Sequence, residues 1–374
     1  MSAPDDRTAA RRADIDAKQE RVAELLAGMG CEALVLLMPA HVAWLAAGLG
    51  ARGLGADSER PGLFTNGRQR WLLCSNVDTQ RLFDEELDRL GFQLKEWAWD
   101  GGRSELLAGV TAGRAVAADR PFPGVPMVND KLRPLLRALT AFEQEQYRAL
   151  GRLVADAVEA TARNILRGDS EEEVAGQLGH RLLRRGVEPA VLSAAADTRG
   201  ARFRRAGFTA TAVDRTCTVQ ATGQRDGLFV TAARTVSFGP PADEFRTAFD
   251  LCVRLSALHR AYTAPQATVG PAVEAFDVVL AGTPFAFDGR LSQPGYGAGR
   301  FPAEELRRAG ADEPFVPGQA LVWQPRVGPA ACADTVLVTA TGHEPVTPPG
   351  AWPFRRILAR GAAHDIPDLL VRPS

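Results

Sequence analysis

Cysteine is sparse in this sequence, and the few cysteines lie far apart. They are odd in number and show no CxxC spacing: Cys31, Cys74, Cys217, Cys252 and Cys332. A disulfide framework or a structural zinc site needs cysteines paired at short, regular spacings. The pattern argues against both, and we expect a protein of the reducing cytoplasm.

An excess of charge of either sign is also missing. The chain has 44 lysine and arginine residues against 45 aspartate and glutamate residues, and the two signs are interspersed. A nucleic-acid partner would need a basic face that neutralises a run of phosphates. We therefore expect no nucleic acid among the partners.

Long hydrophobic runs are absent as well. No apolar stretch approaches the about 18 residues that a membrane-spanning helix needs. The first residues, MSAPDDRTAARRADIDAKQE, are polar and lack the apolar core of a signal peptide. We expect neither export nor a membrane partner.

Histidine is too dispersed to form a metal site by local spacing. None of the five histidines lies in an HExxH arrangement: His41, His180, His259, His343 and His364. Glycine-rich runs such as GYGAG do not stand between a strand and a helix, as a dinucleotide site requires. These residues predict no bound metal and no cofactor.

What the sequence does contain is two regions with different patterns. The length of 374 residues allows two or three domains. In the first region a helical pattern precedes strand patterns at 33–37, 70–74 and 114–118, and the segment PFPGVPMVND follows. This predicts a small α/β domain at residues 1–138.

Residues 139–374 have the pattern of an α+β domain. A helix is predicted over 141–167, and Ser170 with Glu173 forms an S-x-x-E capping box before a second helix that ends at 183. Strand patterns follow at 217–221, 227–238, 319–324 and 335–339, with a helix at 245–262.

Four segments of this second region, in the expected order, resemble the pita-bread fold of methionine aminopeptidases, Xaa-Pro aminopeptidases and creatinases. They are VQATGQRDGLFVTAARTVSFG, SQPGYGAG, FVPGQALVWQP and ACADTVLVT. The segment MPAHVAWLAAGLG is similar to the amino-terminal domain of creatinases and prolidases. The resemblance implies a C-terminal pita-bread domain, a smaller creatinase-type N-terminal α/β domain and a homodimer.

The sequence departs from that family at its metal-binding positions. The family holds two divalent metals with two aspartates, one histidine and two glutamates. The matching positions here carry Gln220, Thr231, Tyr296, Gln324 and Ala333. Neutral side chains cannot compensate two divalent ions, so the resemblance predicts a chain that has lost the two-metal mechanism.

The residues of the creatinase mechanism, which needs no metal, are also replaced in this sequence. Arg204 or Arg205 stands where creatinases have a histidine, and arginine is a poor general base. Ala303 replaces a supporting histidine, and Glu304 alone is kept.

Each candidate residue has a functional and a structural interpretation. Tyr296 is a proton donor or a bulky plug, and Asp334 is a remaining base or a structural acceptor. Gln220, Thr231 and Gln324 orient a substrate or keep a buried network satisfied. Arg204 or Arg205 holds a substrate carboxylate or is solvated. Glu304 is a further substrate-binding candidate.

Three hypotheses about function follow. The leading one is a metal-independent enzyme that hydrolyses, eliminates or cyclises a C–N bond in a small amino-acid-derived or carboxylated molecule, in specialised metabolism. The alternative is a pseudoenzyme that serves as a binding or scaffold protein. The third is a single-metal enzyme that recruits Asp334 and Glu304.

Overall fold

The computed structural model describes residues 4–121, 124–291, 293–304, 306 and 313–373. The chain divides into two compact units, with the division after Glu143. The division falls in the first turn of a helix, where Lys18 donates to the Glu143 carboxylate at 2.7 Å. The sequence had predicted a boundary at 138, before this helix.

The first unit is built on one five-stranded mixed sheet in the order β4-β3-β2-β1-β5. Its strands are β1 (Ala33–Leu36), β2 (Gly62–Thr65), β3 (Arg70–Ser75), β4 (Gln93–Trp97) and β5 (Val116–Ala118). All four residues of β1 are buried, as expected for a central strand whose two faces are both covered. The patterns predicted β1, β3 and β5, but they missed β2 and β4.

Helices surround this sheet: α1 (Pro4–Met29), α2 (Pro39–Leu45), α3 (Thr79–Arg81), α4 (Arg103–Thr111) and α5 (Asn129–Arg137). A π-helical stretch, Leu82–Leu87, continues α3. The start of α2 is fixed by Asp119, whose carboxylate accepts from the backbone N–H of Leu37 at 2.7 Å and of Met38 at 3.0 Å. Its Oδ2 also lies 2.9 Å from Nδ1 of His41.

The second unit contains twelve described strands. In chain order they are β6 (Glu188–Ala196), β7 (Thr216–Arg225), β8 (Leu228–Phe238), β9 (Gly295–Ala298), β10 (Ala320–Trp323), β11 (Arg326–Val327), β12 (Ala330–Ala331), β13 (Asp334–Val338), β14 (His343–Pro345), β15 (Phe354–Ala359), β16 (Ala362–Pro367) and β17 (Leu370–Arg372).

Two four-stranded sheets hold the candidate positions. One has the order β17-β8-β7-β6 and the other β14-β13-β10-β9, while β11-β12 and β15-β16 form separate two-stranded ribbons. Isolated bridges from β8, Phe229 with Gly299 and Ala233 with Ala333, join the two larger sheets. The candidate residues therefore come from strands that meet along β8.

The helices of this unit pack on the sheets: α6 (Ala141–Asn164), α7 (Glu171–Leu183), α8 (Thr198–Arg202), α9 (Asp243–Ala261) and α10 (Gly270–Leu280). The predicted capping box is confirmed, because Ser170 accepts from the N–H of Glu173 and the Glu173 side chain accepts from the N–H of Ser170. The sequence patterns did not identify β6, β9, α10 or the C-terminal strands.

In the part of the chain that the structure describes, we find no helix with both the length and the hydropathy of a membrane span. The mixed helix and strand content of the two units confirms the predicted α+β class.

Candidate functional site

The register of the strands brings together several of the positions that the resemblance matches to the family's metal ligands. Thr231 on β8 pairs with Thr222 on β7, and Ala233 pairs with Gln220. Ala233 also donates its N–H to the carbonyl of Ala333 at 2.9 Å. Positions far apart in sequence therefore converge where the two sheets meet.

A chain of three hydroxyl groups lies at the centre of this region. Thr222 Oγ1 is 2.8 Å from Thr231 Oγ1, which is 3.1 Å from the phenol oxygen of Tyr296. The rigid backbone of Thr231 supports this geometry, because Thr335 Oγ1 accepts from the Thr231 N–H at 3.0 Å and donates to the Thr231 carbonyl at 2.8 Å.

Tyr296 is a buried phenol that keeps its proton. Its exposed fraction is 6%. Burial raises the pKa of the phenol, while hydrogen bonds from the two threonines and the positive charges of Arg326 and Arg205 oppose that rise. At neutral pH the group is therefore a hydrogen-bond and proton donor.

An arginine that the sequence analysis did not single out completes the site. Arg326 is half-buried, and its Nη2 donates to Oε1 of Gln220 at 3.2 Å. Burial lowers the pKa of Arg326, and the charges of Arg204 and Arg205 lower it further. Within the described residues no carboxylate forms an ion pair with Arg326.

The signal for Arg326 was present in the sequence. The residue directly follows Gln324-Pro325, where the resemblance placed a glutamate and a proline. The sequence analysis compared only the metal-ligand positions with the family and therefore did not consider Arg326, which lies two residues after Gln324. Arg326 starts the ribbon β11-β12, which brings its guanidinium back toward Gln220.

The two candidate arginines upstream of β7 have different surroundings. Arg204 Nη2 lies 2.8 Å from Oδ1 of Asp288, whose Oδ2 accepts from the N–H of Gly328. Arg205 is exposed and has no ion pair in the described part of the chain, yet its charge acts on Tyr296 and Arg326. Arg204 is thus already neutralised, whereas Arg205 is not.

Gly328 keeps the Arg204 contact in place. Its φ is +51°, and an added Cβ would stand 2.4 Å from Cε1 of Phe285. Only glycine fits this turn without displacing the phenyl ring. The turn then presents its N–H to Asp288 and so fixes the partner of Arg204.

Gln324 and Glu304, the other predicted residues, lie on segments next to the hydroxyl chain. Gln324 is half-buried, its side chain forms no hydrogen bond with the described residues, and its N–H donates to the Pro294 carbonyl at 2.8 Å. Glu304 exchanges two main-chain hydrogen bonds with Gly297, at 2.7 and 2.8 Å. It therefore forms an isolated bridge to β9 at the residue that follows Tyr296.

Asp334 belongs to a separate ion cluster. Its Oδ1 lies 3.0 Å from Arg234 Nη1 and accepts from Thr347 at 2.9 Å, while Oδ2 lies 3.2 Å from Arg260 Nη2. The other side of Arg234 faces Glu159 at 3.2 Å. Both carboxylate oxygens of Asp334 are thus engaged by guanidinium groups, which is the arrangement expected of the structural acceptor, and its role as a base stays a prediction.

The donor set does not fit the two metals that the resemblance implies. The atoms at the former ligand positions are neutral amides, hydroxyls and a methyl group, and a guanidinium stands 3.2 Å from the Gln220 oxygen. Searching the described residues gives no group of three or more histidine, cysteine, aspartate or glutamate side chains that could bind a metal. A fixed cation repels a second one, so Arg326 opposes metal binding at this position.

Comparisons with known proteins rest on structure alone. No protein-family model matches the chain, and no curated protein matches its sequence. Among solved structures, the chain is similar to dipeptidase PepE from Mycobacterium ulcerans, with a TM-score of 0.74 and 19% identity over 97% of this chain and 99% of that one.

Two further structures agree with this match. Prolidase from Pyrococcus horikoshii has a TM-score of 0.74 and 15% identity, over 88% of this chain and 98% of that one. Xaa-Pro dipeptidase from Bacillus anthracis has a TM-score of 0.70 and 15% identity, over 96% of this chain and 100% of that one. The predicted fold is confirmed: the chain has the two-domain pita-bread fold of these dipeptidases and prolidases.

Proposed function

We propose that the chain is a metal-independent enzyme that binds a small carboxylated, amino-acid-derived molecule against Arg326 and transfers a proton from Tyr296. The observation that carries this proposal is a half-buried arginine that has a neutral partner, Gln220, and no acidic one among the described residues. A charge removed from water without a counterion is costly. A ligand carboxylate would supply the missing charge and could bind the guanidinium through two hydrogen bonds.

The hydroxyl chain supports a proton-transfer role for Tyr296. As a C–N bond of the ligand breaks, the nitrogen keeps the electron pair and takes the phenol proton. The carbon then gains a water oxygen in hydrolysis or a nucleophile of the ligand itself in cyclisation, or forms a double bond as a neighbouring C–H proton leaves in elimination, and the proton released returns to the phenolate. The resulting phenolate would lie beside the hydroxyl of Thr231 and near the positive charge of Arg326, and both stabilise an anion. Hydrolysis, elimination and cyclisation all need such a donor, and Asp334 is not part of this step.

A second candidate function, a binding or scaffold protein without catalysis, is favoured by a different observation. Asp288 and Asp334 are both occupied by arginines, so neither is available as a general base. Such a protein would bind the same carboxylate without converting it. By the resemblance to creatinases and prolidases we also propose a homodimer, and from the five scattered cysteines we propose a cytoplasmic location.

The proposed site can be tested by isothermal titration calorimetry. Native mass spectrometry of the untagged protein first shows whether a metal or an organic molecule is bound, and N-acetyl amino acids are then titrated beside their carboxamides. We expect the carboxylates to bind and the carboxamides to bind at least about tenfold more weakly, since a charge-assisted pair contributes about 1.5–3 kcal/mol.

Arg326→Met should abolish this preference, whereas the exposed control Arg254→Met should keep it. Equal affinity of wild type and Arg326→Met for every carboxylate would refute the proposed site. Two bound metal ions in the mass spectrum would refute the metal-independent mechanism. Binding without turnover of any compound in the panel would favour the scaffold alternative.

A further inference from the structure

We infer that Thr335 on β13 is a positioning residue for Tyr296 and that it acts through Thr231 on β8. The inference rests on the proposed function, because it states how the proton donor of that function is held in place. It comes from the partners of the main-chain groups along one edge of β8.

The stretch of β8 from 229 to 233 meets the neighbouring sheet on the side away from β7. Phe229 and Ala233 use main-chain partners there, because each donates its N–H to a carbonyl of a neighbouring segment, at 2.7 and 2.9 Å. Thr231 lies midway between them. Its partner on this side is a side chain, the hydroxyl of Thr335, so the contact between the two sheets depends at this point on one oxygen atom.

The Thr335 hydroxyl serves both main-chain groups of Thr231. It accepts from the N–H at 3.0 Å and donates to the carbonyl at 2.8 Å. Thr231 is 1% exposed and Thr335 is 0% exposed, so bulk water does not reach the pair. Since buried main-chain groups need partners, the position of Thr231 depends on Thr335. The side-chain oxygen of Thr231, 3.1 Å from the phenol oxygen of Tyr296, moves with it.

Thr335 is itself held by the ion cluster around Asp334. Its N–H donates to the hydroxyl of Thr347 at 3.0 Å, and that hydroxyl donates to Asp334 Oδ1 at 2.9 Å. The same carboxylate oxygen lies 3.0 Å from Arg234 Nη1. Thr347 is buried as well. A continuous series of hydrogen-bonded residues therefore runs from the ion pair to the hydroxyl chain of the candidate site.

This support matters for proton transfer, because a proton donor must lie within hydrogen-bond reach of the atom that it protonates. A displacement of about 1 Å can lower a reaction rate by about a hundredfold. Thr335 acts on the phenol through Thr231, whereas Arg326 is held by the separate β11-β12 ribbon. Loss of the Thr335 hydroxyl should therefore slow proton transfer and leave the binding of the carboxylate nearly unchanged.

Nuclear magnetic resonance of protein labelled with ¹³C at Cζ of tyrosine tests this inference without a ligand. The chain has three tyrosines, so the signal of Tyr296 is the one that Tyr296→Phe removes. We expect Thr335→Val, which replaces the hydroxyl by a methyl group, to shift this signal. Thr335→Ser keeps the hydroxyl and should restore the wild-type signal.

Two references show whether a shift is local. The signal of Tyr262, whose ring centroid lies 4.5 Å from Cζ of Arg360, should not move. Thr161→Val removes another buried threonine hydroxyl, which donates to a carbonyl within α6, and should leave the Tyr296 signal unchanged. If the hydroxyl of Thr335 supported stability alone, the two threonine variants would act alike on these signals.

Kinetics give a second measurement for any N-acetyl amino acid that is turned over. Thr335→Val should lower kcat by about tenfold or more and change KM by less than about twofold, and Thr335→Ser should restore kcat. A raised KM with unchanged kcat would contradict a positioning role.

The inference is wrong if Thr335→Val is folded by circular dichroism and its Tyr296 signal matches that of the wild type. If this variant does not fold, Thr347→Val decides, because it keeps the Thr335 hydroxyl and removes the support one step further away. A wild-type Tyr296 signal in Thr347→Val would then overturn the inference. The proposed function fails separately, if Arg326→Met leaves the carboxylate affinity unchanged while the Tyr296 signal still responds to Thr335→Val.

Discussion

Two groups of polar residues in the second unit both contain arginine, but they differ in whether an acidic side chain pairs with it. In the ion cluster, Glu159 and Asp334 face Arg234 and Arg260 at 3.0 to 3.2 Å, and all four side chains are buried. In the candidate site, the side-chain partner of Arg326 among the described residues is the neutral amide of Gln220. In the ion cluster the two acids neutralise the two arginines without any ligand. In the candidate site, the anion that we propose as ligand would supply the counter-charge of Arg326.

The comparison predicts the largest effect for a broken ion cluster. Asp334→Ala would remove the acid that pairs with Arg260 and leave Glu159 as the counterion of Arg234, and we expect the free energy of unfolding to fall by about 3–5 kcal/mol. Arg326→Met removes a cation that has no acidic partner in the described part of the chain, so it should change the stability by less than about 1 kcal/mol. Urea denaturation of both variants measures the two changes in the free energy of unfolding. Losses of similar size would show that the ion cluster and the candidate site do not differ in charge compensation.

The next effect is a fall in the free energy of unfolding at acid pH. We expect it to come from a core histidine and not from the candidate site. Burial lowers the pKa of His259 to about 3, so the folded protein keeps this imidazole neutral. Its stabilising contribution is complete above about pH 6.5 and is lost as the pH falls toward 3, because the unfolded chain then binds a proton that the folded chain cannot.

Urea unfolding at intervals between pH 7 and 4 should show the stability falling by up to about 1.4 kcal/mol per pH unit on account of this residue. His259→Phe keeps a ring beside Trp323 and Phe276 and should flatten the curve. Burial also lowers the pKa of His343, to about 4, so a smaller slope should persist. An unchanged slope in the variant would contradict this origin.

A smaller loss of stability is expected when a side chain is added to the glycine that precedes Tyr296 on β9. A Cβ at Gly295 would stand 2.4 Å from the carbonyl oxygen of Val322 and 2.6 Å from Cε3 of Trp323. Gly295→Ala should cost about 1–3 kcal/mol of stability and weaken anion binding, because β9 must shift with Tyr296. At the control position Gly342 an added Cβ meets nothing within 4 Å, so Gly342→Ala should be neutral in both measurements.

The smallest change is expected for the Tyr296 hydroxyl. Tyr296→Phe leaves Thr231 bonded to Thr222, so we expect a loss of about 0.5–1.5 kcal/mol of stability and retained anion binding, with loss of any turnover. Since burial raises the pKa of the phenol, its neutral form persists below pH 10, and its contribution is lost only above that value. Anion affinity that is independent of pH between 6 and 9 would agree, whereas a phenol titration in that range would contradict it.

Much of the fold followed from local patterns, but the edges of the sheets did not. Helices α6 and α7 and strands β7, β8, β10 and β13 were predicted to within a few residues, because periodicity and the Ser170 capping box are local signals. Strands β2, β4 and β6 are short or partly exposed, and partners distant in sequence determine them.

By itself the sequence determined which residues stand at the positions that the resemblance matches to the family's metal ligands, and these are the neutral residues Gln220, Thr231, Tyr296, Gln324 and Ala333. Only the tertiary structure decided which charged groups occupy the site. Arg326 approaches Gln220 where the chain enters the β11-β12 ribbon. Arg204 forms an ion pair with Asp288, and Asp334 forms ion pairs with Arg234 and Arg260. The physical reason is that charge compensation depends on distance in space, and these partners lie 74 to 106 residues apart along the chain, from Arg260 with Asp334 to Gln220 with Arg326.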